Sequence, residues 1–188
     1  MNNRSILAIP TRGTHWAFLL FFLTFFSGSV AVGQRVGHLF VSKTDTAGTL
    51  YYIYSIDGFK GETGRMDFDL TRHSTWEHFV VRFTLLEKER SEVDSLRLVC
   101  GALRATVPVR RLFVERKGAR WKQRYEAEVD ADLLTRWTQC PVADGVPRFS
   151  PVASRSTALD FRPGRGAWKR LSGQLRVIMD LIELNKPG

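Results

Sequence analysis

Residues 95–130, SLRLVCGALRATVPVRRLFVERKGARWKQRYEAEVD, carry the strongest structural signal in the chain, because apolar and charged residues alternate there most regularly. From residue 121 to residue 130, the odd positions are mostly apolar and all the even positions are charged. Successive side chains of a strand point to opposite faces of its sheet. This segment therefore predicts a strand with one apolar face and one ionised face.

The same stretch predicts a β-hairpin and a further strand. Residues 110–116 are strand-like, and a short connection that contains Gly118 joins them to the strand at 121–130. Two such runs with a glycine-containing connection are typical of an antiparallel hairpin. Residues 95–101 also alternate, and we expect them to form another strand of the same sheet.

Positive charge is concentrated in this part of the chain, where residues 97–124 hold nine basic residues and one acid, Glu115. Since these side chains cannot enter a core, we expect those of the hairpin to line the face opposite Tyr125. A positive surface of that kind could hold an acidic lipid or glycan. The candidate anion-binding residues are Arg110, Arg116, Lys122 and Arg124. The alternative is an arginine-rich solvated face whose cations pair with Glu126 and Glu128 across the strands.

The residues before residue 95 predict more strands. Residues 49–56 are rich in Tyr and Ile, and Asp57-Gly58 signals a turn after them. Residues 66–70 alternate, and residues 76–86 are the most apolar stretch after residue 33 and predict a central strand.

The following residues predict two helices. Residues 131–139 fit a short helix capped by Asp130, and residues 167–184 carry an apolar stripe at helical spacing. Residues 141–151, with three prolines, are expected to form a loop, and residues 157–161 to return a strand to the sheet.

This order of elements indicates the α+β class. The expected architecture is an antiparallel sheet with the short helix and the amphipathic C-terminal helix packed on one face. A β-sandwich with a terminal helix is the alternative.

The N-terminal residues predict an export signal. Arg4 and Arg12 precede an apolar run at residues 16–26, and small residues follow that run. Cleavage after Gly33 fits the small-x-small pattern of signal peptidase sites, and cleavage after Ala31 fits nearly as well.

We therefore expect residues 1–33 to be a signal peptide and residues 34–188 to form a single globular α+β domain. The domain would be periplasmic or secreted. An uncleaved membrane anchor at residues 16–32 is the alternative, although the apolar run is short for a span of about 20 residues.

Cys100 and Cys140 are the two cysteines of the chain. An even number of cysteines in an exported protein favours a disulfide bond. Two free thiols are the alternative. Because the sequence has no C-x-x-C motif, it gives no sign of a redox or zinc site.

Acids and histidines give weak catalytic signals. Asp67 and Asp69 would share one face of a strand, but Ca²⁺ takes about 6–8 oxygen ligands and no calcium-loop motif is present. His73 and His78 lie near each other in sequence without a spacing typical of zinc enzymes. Neither a nucleophile elbow nor a phosphate-binding glycine motif is found. We therefore predict no catalytic residue, no metal and no cofactor.

These observations favour a non-catalytic exported protein, either an envelope-associated or a secreted binding or structural module. Polyanion binding through the basic hairpin is the alternative, and a hydrolase of unrecognised type is a third. The sequence leaves the partner unknown, with an anionic envelope component or another envelope protein as the candidates. Nucleic acid is disfavoured because export separates the protein from it.

Overall fold

A computed structural model describes residues 38–141, 145, 147–153 and 158–185. In it the alternating segments of the sequence form nine strands, and two segments with helical spacing form helices. The strands are β1 (Phe40–Asp45), β2 (Gly48–Lys60), β3 (Gly64–His73), β4 (His78–Glu87), β5 (Val93–Cys100), β6 (Leu103–Pro108), β7 (Arg110–Lys117), β8 (Arg120–Asp130) and β9 (Arg148–Ala153). The helices are α1 (Ala131–Thr138) and α2 (Arg165–Leu184).

The strands make two antiparallel sheets. The large sheet has six strands in the order β1-β2-β3-β4-β8-β7, and the small sheet has three strands in the order β6-β5-β9. The predicted α+β class is confirmed, and so is the antiparallel hairpin, which is β7–β8 with Gly118 in its turn at φ +63°. Strand β4 is central in the large sheet, as its apolar sequence predicts.

The assignment of residues 95–101 to the same sheet is wrong. Strand β5 pairs with β6 and β9, and the place beside β4 belongs to β8, where Phe83 lies opposite Tyr125. Alternation fixes which side chains share a face of a strand, but it does not fix the partner of that strand. The pairing was therefore beyond what the pattern could determine.

The core lies between the apolar faces of the two sheets and the helices. Trp137 of α1 has its ring centroid 4.7 Å from that of Phe149 in β9 and 5.2 Å from that of Trp168 in α2. Phe149 also stacks on Phe68 of β3 at 4.8 Å, and Phe59 of β2 meets Phe68 at 5.4 Å. Both sheets and both helices thus contribute to one aromatic cluster. Burial of such a side chain stabilises a fold by about 1.5–3 kcal/mol.

Both helices begin close to where the sequence predicts. Asp130 accepts a hydrogen bond from the backbone N–H of Leu133 at 2.9 Å, which confirms it as the N-cap of α1. Helix α2 buries the predicted stripe at Trp168, Leu175 and Ile178, and so is the amphipathic C-terminal helix. Among the described residues, none of the helices has the length and apolar character needed to cross a membrane. The predicted signal peptide (1–33) and the alternative anchor (16–32) lie outside the described residues.

Two loop predictions are wrong for identifiable reasons. Asp57-Gly58 does not end β2, because Gly58 adopts φ +90° and the pairing register shifts between Ile56 and Phe59, so the glycine makes a bulge within the strand. Pro151 lies inside β9, whose far side meets residues 158 and 161 only through isolated bridges. A proline is tolerated at such an edge because no ladder hydrogen bond depends on its missing N–H. Of the strand predicted at 157–161, residue 157 lies outside the described residues, and residues 158–161 form only those bridges.

The predicted disulfide is present. Cys100 ends β5 and Cys140 follows α1, their Cα atoms are 6.2 Å apart, and the two sulfurs are bonded. Trp168 donates a hydrogen bond from Nε1 to the Cys140 carbonyl at 3.5 Å. The bond therefore ties the end of β5 to the helical side of the core.

Candidate functional site

Three of the four cations predicted on the hairpin have acidic partners. Arg110 pairs with Glu126 at 2.7 Å, and Lys122 pairs with Glu115 at 3.1 Å. Arg124 pairs with Asp69 of β3 and donates to Thr84 Oγ1 at 2.9 Å. The positive charge of these residues is therefore largely compensated within the sheet.

The fourth cation points to the other face of the hairpin. Arg116 lies opposite Trp121 in the pairing of β7 with β8, whereas Lys122 lies opposite Glu115. The Arg116 guanidinium stands over the Trp121 ring at 5.9 Å and donates to the Gly118 carbonyl at 3.3 Å. The structure thus brings Arg110, Lys122 and Arg124 onto one face but leaves Arg116 apart from them.

Glu126 is the centre of the ion pairs on that face. Its carboxylate accepts from Arg110 at 2.7 Å and from Arg82 of β4 at 2.8 Å. Burial alone would raise the pKa of Glu126, but the hydrogen bonds and charges of these two arginines outweigh burial and lower the pKa. The outer face of the large sheet is therefore a set of cross-strand ion pairs.

The small sheet carries a cleft on its outer face, away from the core. Arg97 of β5 lies opposite Thr106 of β6 and Ser150 of β9, so the three side chains share a face. Two residues further along β5, on the same face, Val99 lies opposite Arg104 of β6 and Arg148 of β9. The opposite face holds Leu98 and Phe149, which are buried.

Residues 158–165 form the other wall of this cleft, which we call the arginine cleft. They contribute Asp160, Arg162 and Arg165, and the cleft encloses about 660 Å³. Small-molecule sites in proteins commonly enclose about 300–1,000 Å³. Five arginines line the cleft: Arg97, Arg104, Arg148, Arg162 and Arg165.

These arginines are poorly compensated. Asp160 is the only acid among the described lining residues, and it accepts from Ser150 Oγ at 2.5 Å and pairs with Arg148 at 3.5 Å. The other four arginines are exposed, and their side chains make no ion pair with any described residue. A concave wall with an excess of one charge sign focuses the electrostatic field on its interior.

The start of α2 adds to this positive field. Arg165 is the first residue of the helix, and Gly164 at the N-cap has no side chain to accept from the first amides. The first turn also lacks an acidic residue. The partial positive charge of the helix N-terminus is therefore unopposed on the side of the arginine cleft.

The sequence pointed to only part of this site. Arg97 and Arg104 belong to the predicted basic segment, but they lie in the small sheet and not on the hairpin. Arg148 and Arg162 come from a region predicted as loop and turn, and were missed. Arg165 was interpreted as part of a strand-to-helix turn, with anion attraction at the helix start as the less favoured alternative. The available signal was the density of arginine around residues 148–165. Only the pairing of β9 with β5 shows that Arg148 lies beside β5.

The acids and histidines considered for catalysis do not form a joint site. Asp67 and Asp69 share a face as predicted, but Asp69 pairs with Arg124. His73 Nδ1 is 2.7 Å from Thr75 Oγ1, and His78 stacks on Trp76 with 5.3 Å between ring centroids. In residues 38–141, 145, 147–153 and 158–185, no group of three metal-ligating side chains is close enough to hold an ion.

Comparison with models of known protein families, with curated proteins and with solved structures finds no match to this chain.

Proposed function

We propose that this protein is an exported, non-catalytic binding module whose ligand is an anion held in the arginine cleft. The observation that carries the proposal is the set of five arginines around about 660 Å³ with one acid among the described lining residues. Planar guanidinium groups match the oxygens of phosphate, sulfate and carboxylate in bidentate pairs.

The positions of the arginines favour binding because they are held by regular structure. Arg97, Arg104 and Arg148 project from three paired strands, and the disulfide at Cys100 fixes the end of the central one. Groups that are already in place lose less conformational freedom when a ligand binds, and this raises affinity. A cleft whose paired strands hold the backbone positions of these arginines is thus better suited to a defined anion than a mobile basic tail.

Export is part of the proposal. The charged start, apolar run and small residues of 1–33 are typical of a signal peptide, and the disulfide is compatible with an oxidising compartment. The anions available there include acidic glycans, lipid head groups and acidic protein surfaces. Nucleic acid remains disfavoured on the same ground.

The test compares the arginine cleft with the hairpin at equal loss of charge. Protein recovered from cells that express the full chain would be titrated calorimetrically with a heparin-derived hexasaccharide. We expect Arg97→Ser with Arg104→Ser to weaken binding by about tenfold or more, because exposed guanidinium contacts to sulfate are lost. The matched control, Arg116→Ser with Lys117→Ser, should change affinity by less than about threefold. Equal losses in both variants, or absence of binding by the wild type, would overturn the proposal.

A second candidate is docking of the hairpin on an acidic lipid surface. Leu112 and Phe113 are 39% and 37% exposed on β7, next to Arg111 and near Lys117. Apolar side chains flanked by cations are typical of segments that lie in a membrane interface. Sedimentation with phosphatidylglycerol vesicles would support this candidate if Leu112→Ser with Phe113→Ser abolished binding, and would remove it if the wild type stayed in solution.

A further inference from the structure

The arginine cleft contains one feature that a general anion site would lack, a carboxylate among the guanidinium groups. Asp160 lines the cleft, and its side chain remains 38% exposed although it contacts Ser150 and Arg148. A carboxylate beside the ligand repels any simple anion. It favours a ligand only if that ligand presents a hydrogen-bond donor next to its negative groups.

A second cavity adjoins the arginine cleft on the far side of Asp160. It encloses about 540 Å³ and shares Ala158, Asp160 and Arg162 with the cleft. Lys60, Glu62 and Thr63 line its other side. Asp160 and Arg162 therefore stand between two cavities, so that a ligand reaching from one to the other would pass an acceptor and a cation together.

The described residues that line the two cavities include no aromatic side chain. Proteins that bind single-stranded nucleic acid rely on aromatic stacking of the bases. A lipid tail would need an apolar wall, yet the arginine cleft is lined mainly by polar and charged side chains. The surroundings suit a compact molecule with many oxygens.

We infer that the ligand of the arginine cleft is a phosphorylated or sulfated sugar unit, with its anionic groups on the arginines and a hydroxyl donating to Asp160. This inference rests on the proposed function, since it presupposes that the cleft binds anions. Phosphate and sulfate share tetrahedral oxygens that accept from guanidinium groups. A charge-assisted hydrogen bond from a sugar hydroxyl to Asp160 then supplies the discrimination that charge alone cannot give.

The test compares two bisphosphates, one that carries sugar hydroxyl groups and one that carries none, and the variants at Asp160 then assign any preference to the carboxylate. Glucose 1,6-bisphosphate and 1,6-hexanediol bisphosphate carry the same phosphates, and a trisulfated heparin disaccharide serves as the sulfate arm. We expect the wild type to prefer the sugar bisphosphate by about tenfold, since charge-assisted hydrogen bonds are about twice as strong as neutral ones. Tighter binding of the disaccharide than of the sugar bisphosphate would assign the ligand to sulfated glycans, and the reverse order to phosphorylated sugars.

Variants at Asp160 then separate specificity from anion binding. Asp160→Ala should reduce the preference for the sugar to less than about threefold, because the acceptor is gone while the arginines remain. Asp160→Asn keeps an acceptor oxygen, so its preference for the sugar bisphosphate should lie between that of the wild type and that of Asp160→Ala. The control Asp132→Asn, an exposed acid on α1, should leave the preference unchanged.

The measured quantity is the ratio of the affinities for the two bisphosphates. A rearrangement of Ser150 or Arg148 that changes both affinities alike leaves this ratio unchanged. Equal wild-type affinity for the two bisphosphates, or a preference that Asp160→Ala leaves intact, would overturn the inference while leaving anion binding in place. If the wild type binds none of the three ligands at millimolar concentration, both the inference and the proposed function fail.

Discussion

Arg72 of β3 and Glu183 in the last turn of α2 form an ion pair with 2.8 Å between nitrogen and oxygen. The Arg72 side chain is 1% exposed, its Nε donates to the Trp76 carbonyl at 3.3 Å, and its guanidinium lies 4.9 Å from the centre of the Phe79 ring. A buried charge is strongly destabilising without a partner. The pair therefore fixes the end of α2 against the large sheet.

The first prediction concerns this ion pair. Glu183→Gln should lower the free energy of unfolding by about 1–3 kcal/mol, because it removes the charge that offsets buried Arg72. Urea unfolding followed by circular dichroism would measure the change. The matched control is Asp180→Asn on the same helix, an exposed acid, for which we expect a change within about 0.5 kcal/mol. Similar losses in the two variants would show that Arg72 does not depend on Glu183.

The second prediction is a pH dependence centred on Glu126. Its pKa in the folded state lies below the ordinary value of about 4.3 because of Arg82 and Arg110. The stabilisation from Glu126 is thus fully present above that unfolded-state value and is lost as the pH falls through the folded-state pKa. Glu126→Gln should therefore be less stable than wild type at pH 7 by about 1–2 kcal/mol, with the gap closing in acid.

Unfolding by urea at a series of pH values between neutral and acid would check this. Glu128→Gln is a suitable control, since Glu128 lies on the same face of β8 and is exposed. A gap between Glu126→Gln and wild type that stays constant as the pH falls would contradict the assigned role of the two arginines.

The sequence predicted those features that depend on residues close together in the chain. The alternation at Tyr125 and Glu126 gave the two faces of β8, and Asp130 gave the start of α1 correctly. Each of these depends on the local period of side chains or on a short-range hydrogen bond. For the same reason, the amphipathic stripe of α2 was readable from its own spacing.

The features that were missed depend on pairing across long stretches of chain. Arg97 and Arg148 meet in the arginine cleft because β5 pairs with β9, and no local pattern specifies that partner. The hairpin was predicted to be the cationic surface because basic residues are dense in that segment, and their density does not show which of them are paired with acids. In the structure Arg124 is paired with Asp69, which lies 55 residues away.

The third prediction concerns the disulfide, which closes a separation of 40 residues between Cys100 and Cys140. In the chain-entropy model a loop of this length corresponds to about 4 kcal/mol of stabilisation. Replacement of both cysteines by serine should lower the free energy of unfolding by up to that amount. Wild-type protein in reducing agent should match the double variant, and an unchanged stability in either case would contradict a structural role for the bond.

The fourth prediction concerns processing at the N-terminus. If residues 1–33 are a signal peptide, the intact mass of the exported protein should correspond to a chain that begins at Gln34. A chain beginning at Val32 would indicate cleavage after Ala31 instead. Replacement of Ala31 by Leu should block cleavage after either site, since small residues are required there. Recovery of the full-length chain in the membrane fraction would favour the uncleaved anchor.

The most direct test of the arginine cleft is to locate a bound anion. A crystal structure of the exported protein with the trisulfated heparin disaccharide would do so. We predict that its sulfate oxygens lie within hydrogen-bond distance of the guanidinium groups of Arg97, Arg104 and Arg162, with a hydroxyl near Asp160. A disaccharide bound instead on the β7–β8 hairpin, with the cleft empty, would contradict the account.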